Sequence, residues 1–291
     1  MIQPLRIGTR GSPLALAQAQ SVADALAAAH GIATEIVPIT ASGDRIQDRA
    51  LAEVGGKALW TKELDRCLAV GRTDISVHSM KDVETLRPAR LVIAAMLERA
   101  ATGDRLIGAA RLDALPQGAR IGTASPRRRA QLLARRPDLS IVLLRGNVQT
   151  RLAKLERGEA DATLLAAAGL ARLGLDIGAP LDLLPAPSQG AIGVEVLAER
   201  ADVRALVAAI DDRDTHACVD AERAFLAALG GDCRSAVAAL ATMRDGGPHL
   251  RAEILSADGR EVHAGEGDDP AALAARLLGQ ASPALRSAFG A

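Results

Sequence analysis

The sequence predicts an α/β protein made of two tandem units of similar design, followed by a small α+β domain with a three-stranded antiparallel sheet. Three observations carry this. Arg6-Ile7-Gly8-Thr9, followed by Ser12-Pro13, is echoed by Arg120-Ile121-Gly122-Thr123, followed by Ser125-Pro126. Gly71-Arg72-Thr73-Asp74-Ile75 is echoed in the same order by Gly158-Glu159-Ala160-Asp161-Ala162. After Thr215 the pattern changes to one long helix and three strand-like runs separated by hairpin signals.

Each Ser-Pro pair reads as the end of a strand–loop segment and the start of a helix, with serine as N-cap and proline at the first helical position. A second helix is expected in each unit. The first covers the Lys57–Val70 region, with Trp60, Leu64 and Leu68 on one face. The other follows Asn147 as N-cap, carries Val148, Leu152 and Leu155 on one face, and stops at Gly158. Strands alternating with helices imply mainly parallel sheets with ligand sites at the strands' carboxyl ends. Beyond Thr215, Val219, Phe225, Leu226 and Leu229 share a helix face closed by Gly230-Gly231. Strand-like runs follow at Ala236–Met243, His249–Leu255 and Arg260–His263, with turns at Asp245-Gly246-Gly247 and Asp258-Gly259 and a last helix near Pro270.

At 291 residues the chain is long for one core. Apolar residues reach 49% while aromatics are 1%, so the cores are expected to be aliphatic. Trp60, Phe225 and Phe289 are the whole aromatic inventory, too few for a module that stacks nucleic-acid bases. Lys+Arg and Asp+Glu both number 35, leaving no global field for a polyanion or a membrane surface. Apolar runs such as Leu91–Leu97 are far short of a membrane span, and Met1–Gly11 lacks the apolar run of a signal peptide. Cys67, Cys218 and Cys233 form no disulfide framework, and the scattered histidines show no metal spacing. A cytoplasmic, metal-free protein without nucleic-acid or membrane partners is expected, and a monomer, since no long heptad or large apolar patch stands out. Gly8, Gly11 and Gly55-Gly56-Lys57 match neither standard nucleotide-binding pattern.

Three places carry chemistry. Between Arg120 and Pro137 stand six arginines and no carboxylate. Such a run is often a solvated helix face, yet Arg127 and Arg128 fall in a first helical turn, where cations oppose the helix dipole. Together with Arg10 in the first Ser-Pro loop, and with Arg145 and Arg151 beside Asn147, they suit an anion with several carboxylates or phosphates. In Val77-His78-Ser79-Met80-Lys81-Asp82-Val83 an apolar strand ends near His78, which puts Ser79, Lys81 and Asp82 at its carboxyl end. Asp82 there is either a surface-turn residue or a carboxylate placed to stabilise a cation and move a proton. Cys233 follows Gly230-Gly231-Asp232 and precedes Arg234; a loop thiol beside a cation is suited to thiolate chemistry, and the residues by themselves leave a plain loop cysteine equally open. Cys67 and Cys218 read as small core residues.

Together these segments resemble the porphobilinogen deaminase (hydroxymethylbilane synthase) family over nearly the whole chain. The resemblance rests on RIGTRGSPLAL (Arg6–Leu16), VGGKALWTKEL (Val54–Leu64), VHSMKDV (Val77–Val83), GTASPRR (Gly122–Arg128) and LRGNVQTRL (Leu144–Leu152). It continues through AAAGLARLGL (Ala166–Leu175), PSQGAIGVE (Pro187–Glu195) and the stretch from AERAF to GGDC (Ala221–Cys233).

The resemblance implies two type II periplasmic-binding-protein-like α/β domains, residues 1–98 with 190–210 and residues 99–189, and a third, α+β domain over 211–291. It implies a transferase that condenses four porphobilinogen molecules head to tail, with loss of ammonia, onto a dipyrromethane cofactor, and then releases hydroxymethylbilane by hydrolysis. Cys233 is then the thioether anchor and Asp82 the catalytic carboxylate. Ser79, Lys81, Asp82, Ser125, Arg127, Arg128 and Arg145 fall on cofactor positions. Arg10, Ser12, Lys57, Trp60, Arg145, Arg151, Arg172 and Gln189 fall on the substrate side. The chain departs from the family pattern at Trp60, where relatives often have Phe. Further departures are Ala124-Ser125-Pro126, Ala100-Ala101-Thr102-Gly103-Asp104, where a family arginine is missing, and Asp232-Cys233-Arg234. The rival reading is a non-catalytic two-lobed binding protein for an anionic metabolite, which would need neither Cys233 nor Asp82.

Overall fold

The computed structural model describes residues 4–41 and 60–290. These form two compact units, one from residues 4–41, 60–100 and 190–216, the other from 101–189 and 217–290.

In the first unit, strand β1 (Leu5–Arg10) leads through the Ser12 cap into the helix Pro13–His30, and β2 (Thr34–Ile39) follows. The helix Lys62–Ala69 precedes β3 (Ile75–Ser79), and β4 (Leu91–Met96) ends the segment. In the second unit, β5 (Asp104–Ile107) and β6 (Arg120–Gly122) precede the helix Pro126–Arg135 and β7 (Ser140–Val142). The helix Val148–Glu156, β8 (Ala162–Ala166), the short helix Ala167–Arg172 and β9 (Ala179–Leu181) complete its first half. The chain then returns to the first unit as β10 (Ile192–Leu197) and the helix Ala201–Val207.

The two five-stranded sheets share one topology, β2-β1-β3-β10-β4 and β7-β6-β8-β5-β9. This is the expected pair of α/β units of similar design. The sheets are mixed rather than mainly parallel: β10 runs antiparallel to β3 and β4, and β5 runs antiparallel to β8 and β9. In each case the reversed strand is the first that the chain lays down after passing from one unit to the other.

The duplicated motifs have a physical cause. Arg6 and Asp74 close the amino ends of β1 and β3: Asp74 accepts from the Arg6 backbone N–H at 2.9 Å and from its guanidinium twice at 3.0 Å. Arg120 and Asp161 repeat this pairing at β6 and β8, with contacts of 2.7 Å and 2.8 Å. Ile7, Ile75, Val77, Val194 and Leu26 form the first unit's core, and Leu106, Ile121, Leu132 and Leu164 its counterpart in the second.

The helix Arg213–Ala228 leads to β11 (Val237–Arg244), β12 (Gly247–Leu255) and β13 (Val262–Gly267), an antiparallel sheet in the order β11-β12-β13. The helix Pro270–Gln280 covers it, and a further short helix, Pro283–Ser287, was not foreseen. The third strand starts two residues later than expected and runs on to Gly267. Phe225 and Phe289 both lie in this sheet's core; full burial of such a side chain contributes about 1.5–3 kcal/mol. The sheet packs on the helix Pro126–Arg135: Gln131 donates to Glu253 at 2.8 Å, and Arg129 donates to the Ala257 carbonyl at 3.2 Å. Gly259, with φ of 72°, lies so close to that helix that a Cβ would meet the Ala130 carbonyl at 2.4 Å.

Candidate functional site

Asp82 sits in one turn of 3-10 helix, Met80–Asp82, directly after β3. Met80 fixes this turn. Its side chain is fully buried, and its N–H donates to the Ala191 carbonyl at 3.1 Å. Gly193 on β10 leaves room for it, since a Cβ there would lie 2.1 Å from the Met80 sulfur. With Met80 held inward, Lys81 and Asp82 emerge half-exposed at the sheet's carboxyl edge. Arg10, the last residue of β1, reaches the same place. Its guanidinium lies 4.0 Å from the Asp82 carboxylate and 4.0 Å from the centre of the Trp60 ring. Ser79 donates to the buried Gln18 at 2.9 Å. Arg10, Gln18, Trp60, His78, Ser79 and Asp82 line one pocket. Ser12 stands at its helix start as a cap, accepting from the Ala15 N–H at 3.3 Å.

Behind this pocket is a buried ionic network that the sequence reading missed. Glu195, fully buried on β10, is bonded by His78 Nε2 at 3.1 Å and by Arg87 at 2.8 Å and 2.9 Å. Arg87 also donates to Glu84 at 2.6 Å and to Asp65 at 2.5 Å. Burial by itself would raise the Glu195 carboxyl, but His78 and Arg87 outweigh it and hold it down at about 2. Asp65 goes the other way, since its desolvation exceeds the help from Arg87. A single carboxylate inside the apolar strand Ile-Gly-Val-Glu-Val-Leu was the available signal, because such a residue is buried only with partners.

In the second unit Arg127 and Arg128 are not solvated helix-face residues. Both are buried on Asp104, each 2.7 Å from one of its oxygens. Arg128 also donates to the Leu164 carbonyl at 2.8 Å. Asp104, left by the family-pattern departure at Ala100–Gly103, explains how cations stand in a first helical turn: the partner comes from a neighbouring strand, not from the helix. Burial would raise its carboxyl, yet the two guanidinium groups hold it well below the ordinary carboxylate range. Gln189 is buried in the same cluster, donating to Asp104 at 3.0 Å and to the Thr102 carbonyl at 2.6 Å. It follows Ser188, whose φ of 65° is left-handed and whose N–H donates to buried Glu222 at 2.6 Å. Two cations share one carboxylate here, and among the described residues the buried Nε of Arg127 has no hydrogen-bond partner.

Ser125 caps its helix at the Arg128 N–H, 3.4 Å away. Arg145 is buried, and Arg151 Nε donates to the Gly146 carbonyl at 2.9 Å. Arg172 ends its short helix, and burial lowers its pKa. Cys233 is exposed, whereas Cys67 and Cys218 are buried. Arg234 is turned onto Asp232, with Nε at 2.9 Å. Lys57 lies outside the described residues. Trp60 is not on a helix face as expected: the helix begins at Lys62, and Trp60 precedes its Thr61 cap position.

Two family models match the chain. One, described as "Porphobilinogen deaminase, dipyromethane cofactor binding domain", covers residues 5–205; the other, "Porphobilinogen deaminase, C-terminal domain", covers residues 216–281. A porphobilinogen deaminase of Sphingopyxis alaskensis is 61% identical over 98% of this chain and 96% of its own. The chain belongs to the porphobilinogen deaminase family. A second relative, the porphobilinogen deaminase of Paracoccus denitrificans, is 53% identical over 92% of this chain and 89% of its own. Among solved structures, a periplasmic substrate-binding protein of an ABC transporter from Coxiella burnetii aligns at 18% identity, covering 73% of this chain and 94% of that one, with a TM-score of 0.46. The family is one of transferases with dipyrromethane as cofactor. This chain's residues fit such a group, offering an exposed thiol at Cys233 and, at Arg127, a buried donor that has no partner among the described residues, beside paired cations. Among the described residues no helix is long and apolar enough to cross a membrane.

Proposed function

We propose that this chain condenses four porphobilinogen molecules head to tail, with loss of ammonia, and releases hydroxymethylbilane by hydrolysis. The observation that carries the reading is the pairing of Asp82 with Arg10 at the carboxyl edge of the first sheet, in a chain of this family. When bound through the Cys233 sulfur, dipyrromethane supplies the free α-carbon from which the chain grows. Asp82 stabilises the cation left on a porphobilinogen ring when its aminomethyl group departs as ammonia. Arg10, beside it, meets an acetate or propionate of the incoming ring, since a guanidinium binds carboxylates in a planar fork. Trp60 supports Arg10 through its ring face, and Ser12, Lys57 and Gln189 complete the substrate side.

Arg127, Arg128 and Arg145 serve the cofactor's carboxylates, with Ser79, Lys81 and Ser125 as further polar partners. Arg151 and Arg172 add cations for the lengthening product, whose every ring brings two carboxylates. In this reading residues 1–98 with 190–210 carry the catalytic loop, 99–189 the arginines and 211–291 the anchor, in a cytoplasmic monomer. Intact mass of the purified chain tests it: a fixed addition of one dipyrromethane is expected, with consumption of porphobilinogen. A chain of unmodified mass that leaves porphobilinogen untouched would sink the reading.

A further inference from the structure

We propose that His78 is the base that takes the α-proton released at each carbon–carbon bond formation, and that Glu195 and Arg87 exist to hold it in that form. The inference rests on the condensation proposed above. His78 lines the same pocket as Asp82. Its Nε2 is bonded to Glu195 at 3.1 Å, and among the described residues its Nδ1 meets no hydrogen-bond partner. Both oxygens of Glu195 are occupied, Oε1 by Arg87 and Oε2 by Arg87 and His78 together. Held ionised, Glu195 can only accept, so Nε2 must carry the ring's hydrogen in the neutral form. The lone pair is thereby fixed on Nδ1. This is the arrangement by which a buried carboxylate sets a histidine's tautomer and stabilises the imidazolium that forms when it takes a proton.

The reaction needs such a group. The C–N bond of the aminomethyl group breaks with its electron pair leaving on nitrogen, so ammonium departs as ammonia and the ring is left cationic. A π pair of the attacking α-carbon forms the new C–C bond. That carbon then holds one hydrogen too many, and the C–H pair returns to the ring as the proton leaves. Asp82 is committed to the cation and is paired with Arg10, whereas the Nδ1 lone pair of His78 can accept this proton and pass it to water. The charged groups around His78 are Glu195, Arg87, Asp65 and Glu84 behind it, and Asp82 and Arg10 across the pocket.

The experiment uses enzyme whose intact mass shows the covalent addition, so failure of the parent reading is seen first and separately. Nitrogen-15 histidine spectra should show His78 protonated on Nε2 when neutral, with its Nδ1 signal moving when porphobilinogen is added. In Glu195→Gln the tautomer preference should weaken. His78→Gln keeps a donor for Glu195 but has no basic nitrogen. Its turnover should fall about a hundredfold with KM little changed. Substrate deuterated at the free α-carbon should show a larger isotope effect in His78→Gln than in the parent. A neutral ring protonated on Nδ1 would overturn the proposal, and so would a His78→Gln enzyme with unchanged turnover and an unchanged isotope effect.

Discussion

Arg128 binds both oxygens of Asp104, with Nη2 at 2.7 Å and Nε at 3.2 Å, while Arg127 shares the second oxygen at 2.7 Å. Because all three groups are buried, losing the carboxylate strands two cations together. Asp104→Asn should therefore cost about 3–5 kcal/mol of stability, measured by urea unfolding. The folded carboxyl is depressed, so its contribution is complete above the unfolded value near pH 3.9 and is lost as pH falls through the folded one. Stability of the parent should be insensitive to this group from pH 7 to about 5 and decline below about 4. The variant should show the loss already at pH 7 and a shallower acid slope. Equal stabilities at pH 7 would mean that the cluster contributes nothing.

Cys233 is exposed while Cys67 and Cys218 are packed in cores. Cys233→Ser should abolish the covalent addition, seen as an unmodified intact mass and no red colour with acidic aldehyde reagent. Cys67→Ser and Cys218→Ser should keep the addition and lose about 1–3 kcal/mol of stability, because each sets a hydroxyl in an apolar site. An adduct surviving in Cys233→Ser would move the anchor elsewhere.

Trp60 is the chain's one tryptophan, and its ring lies against Arg10 at 4.0 Å. Its emission therefore reports on Arg10 without a label, and porphobilinogen should change it. Trp60→Phe retains a π face and should behave nearly as the parent. Trp60→Leu removes the face and should raise KM about two- to fivefold, the equivalent of a cation–π contact of about 0.5–1 kcal/mol at a partly exposed site. Equal KM values in Phe and Leu variants would show that the ring acts by bulk alone.

Much of this was legible in the sequence because it is written twice. The Arg6–Asp74 and Arg120–Asp161 pairs each tie two adjacent parallel strands, so selection for one geometry leaves one motif in two places. Caps and stops at Ser12, Ser125, Asn147 and Gly158 act over three or four residues, and local chemistry shows locally. What escaped is long-range. Asp104 lies 23 residues from Arg127, and Glu195 lies 117 from His78. Nothing within a window around any of these residues names its partner. The reversed strands β5 and β10 escaped for the same reason, since strand direction is set by where the chain enters a sheet. A helix face drawn through Trp60 extends the amphipathic pattern past Thr61, the cap position of a helix that begins at Lys62.

Gly193 should tolerate no side chain. A Cβ there would stand 2.1 Å from the Met80 sulfur, in a strand that has no slack on either side. Gly193→Ala should lose about 1–3 kcal/mol by overpacking and lose turnover as well, since Met80 anchors the turn that presents Asp82. Met80→Ala added to Gly193→Ala removes the obstructing atoms, so the double variant should be less destabilised than the two losses summed. Strict additivity would show that the two residues do not press on each other.

Asp82 itself gives the sharpest test of the chemistry. Asp82→Glu keeps the charge but moves it by one methylene, and Asp82→Asn keeps the shape and removes the charge. If the carboxylate stabilises a cation developing on the substrate ring, charge matters more than position, so Glu should retain some turnover and Asn almost none. The loss in Asn should be on the order of a hundredfold or more, the scale of removing one preorganised electrostatic partner. Folding should survive in both, because the Asp82 side chain is 38% exposed and its ion pair with Arg10 spans 4.0 Å; a pair so open adds little stability. Asp82→Asn also frees Arg10 from its anionic neighbour, so substrate should bind at least as well even as turnover collapses. That split, KM unchanged or lower with kcat lost, separates a group acting on the transition state from one that merely positions Arg10. Near-normal ammonia release in a single turnover by cofactor-loaded Asp82→Asn would remove Asp82 from the chemistry.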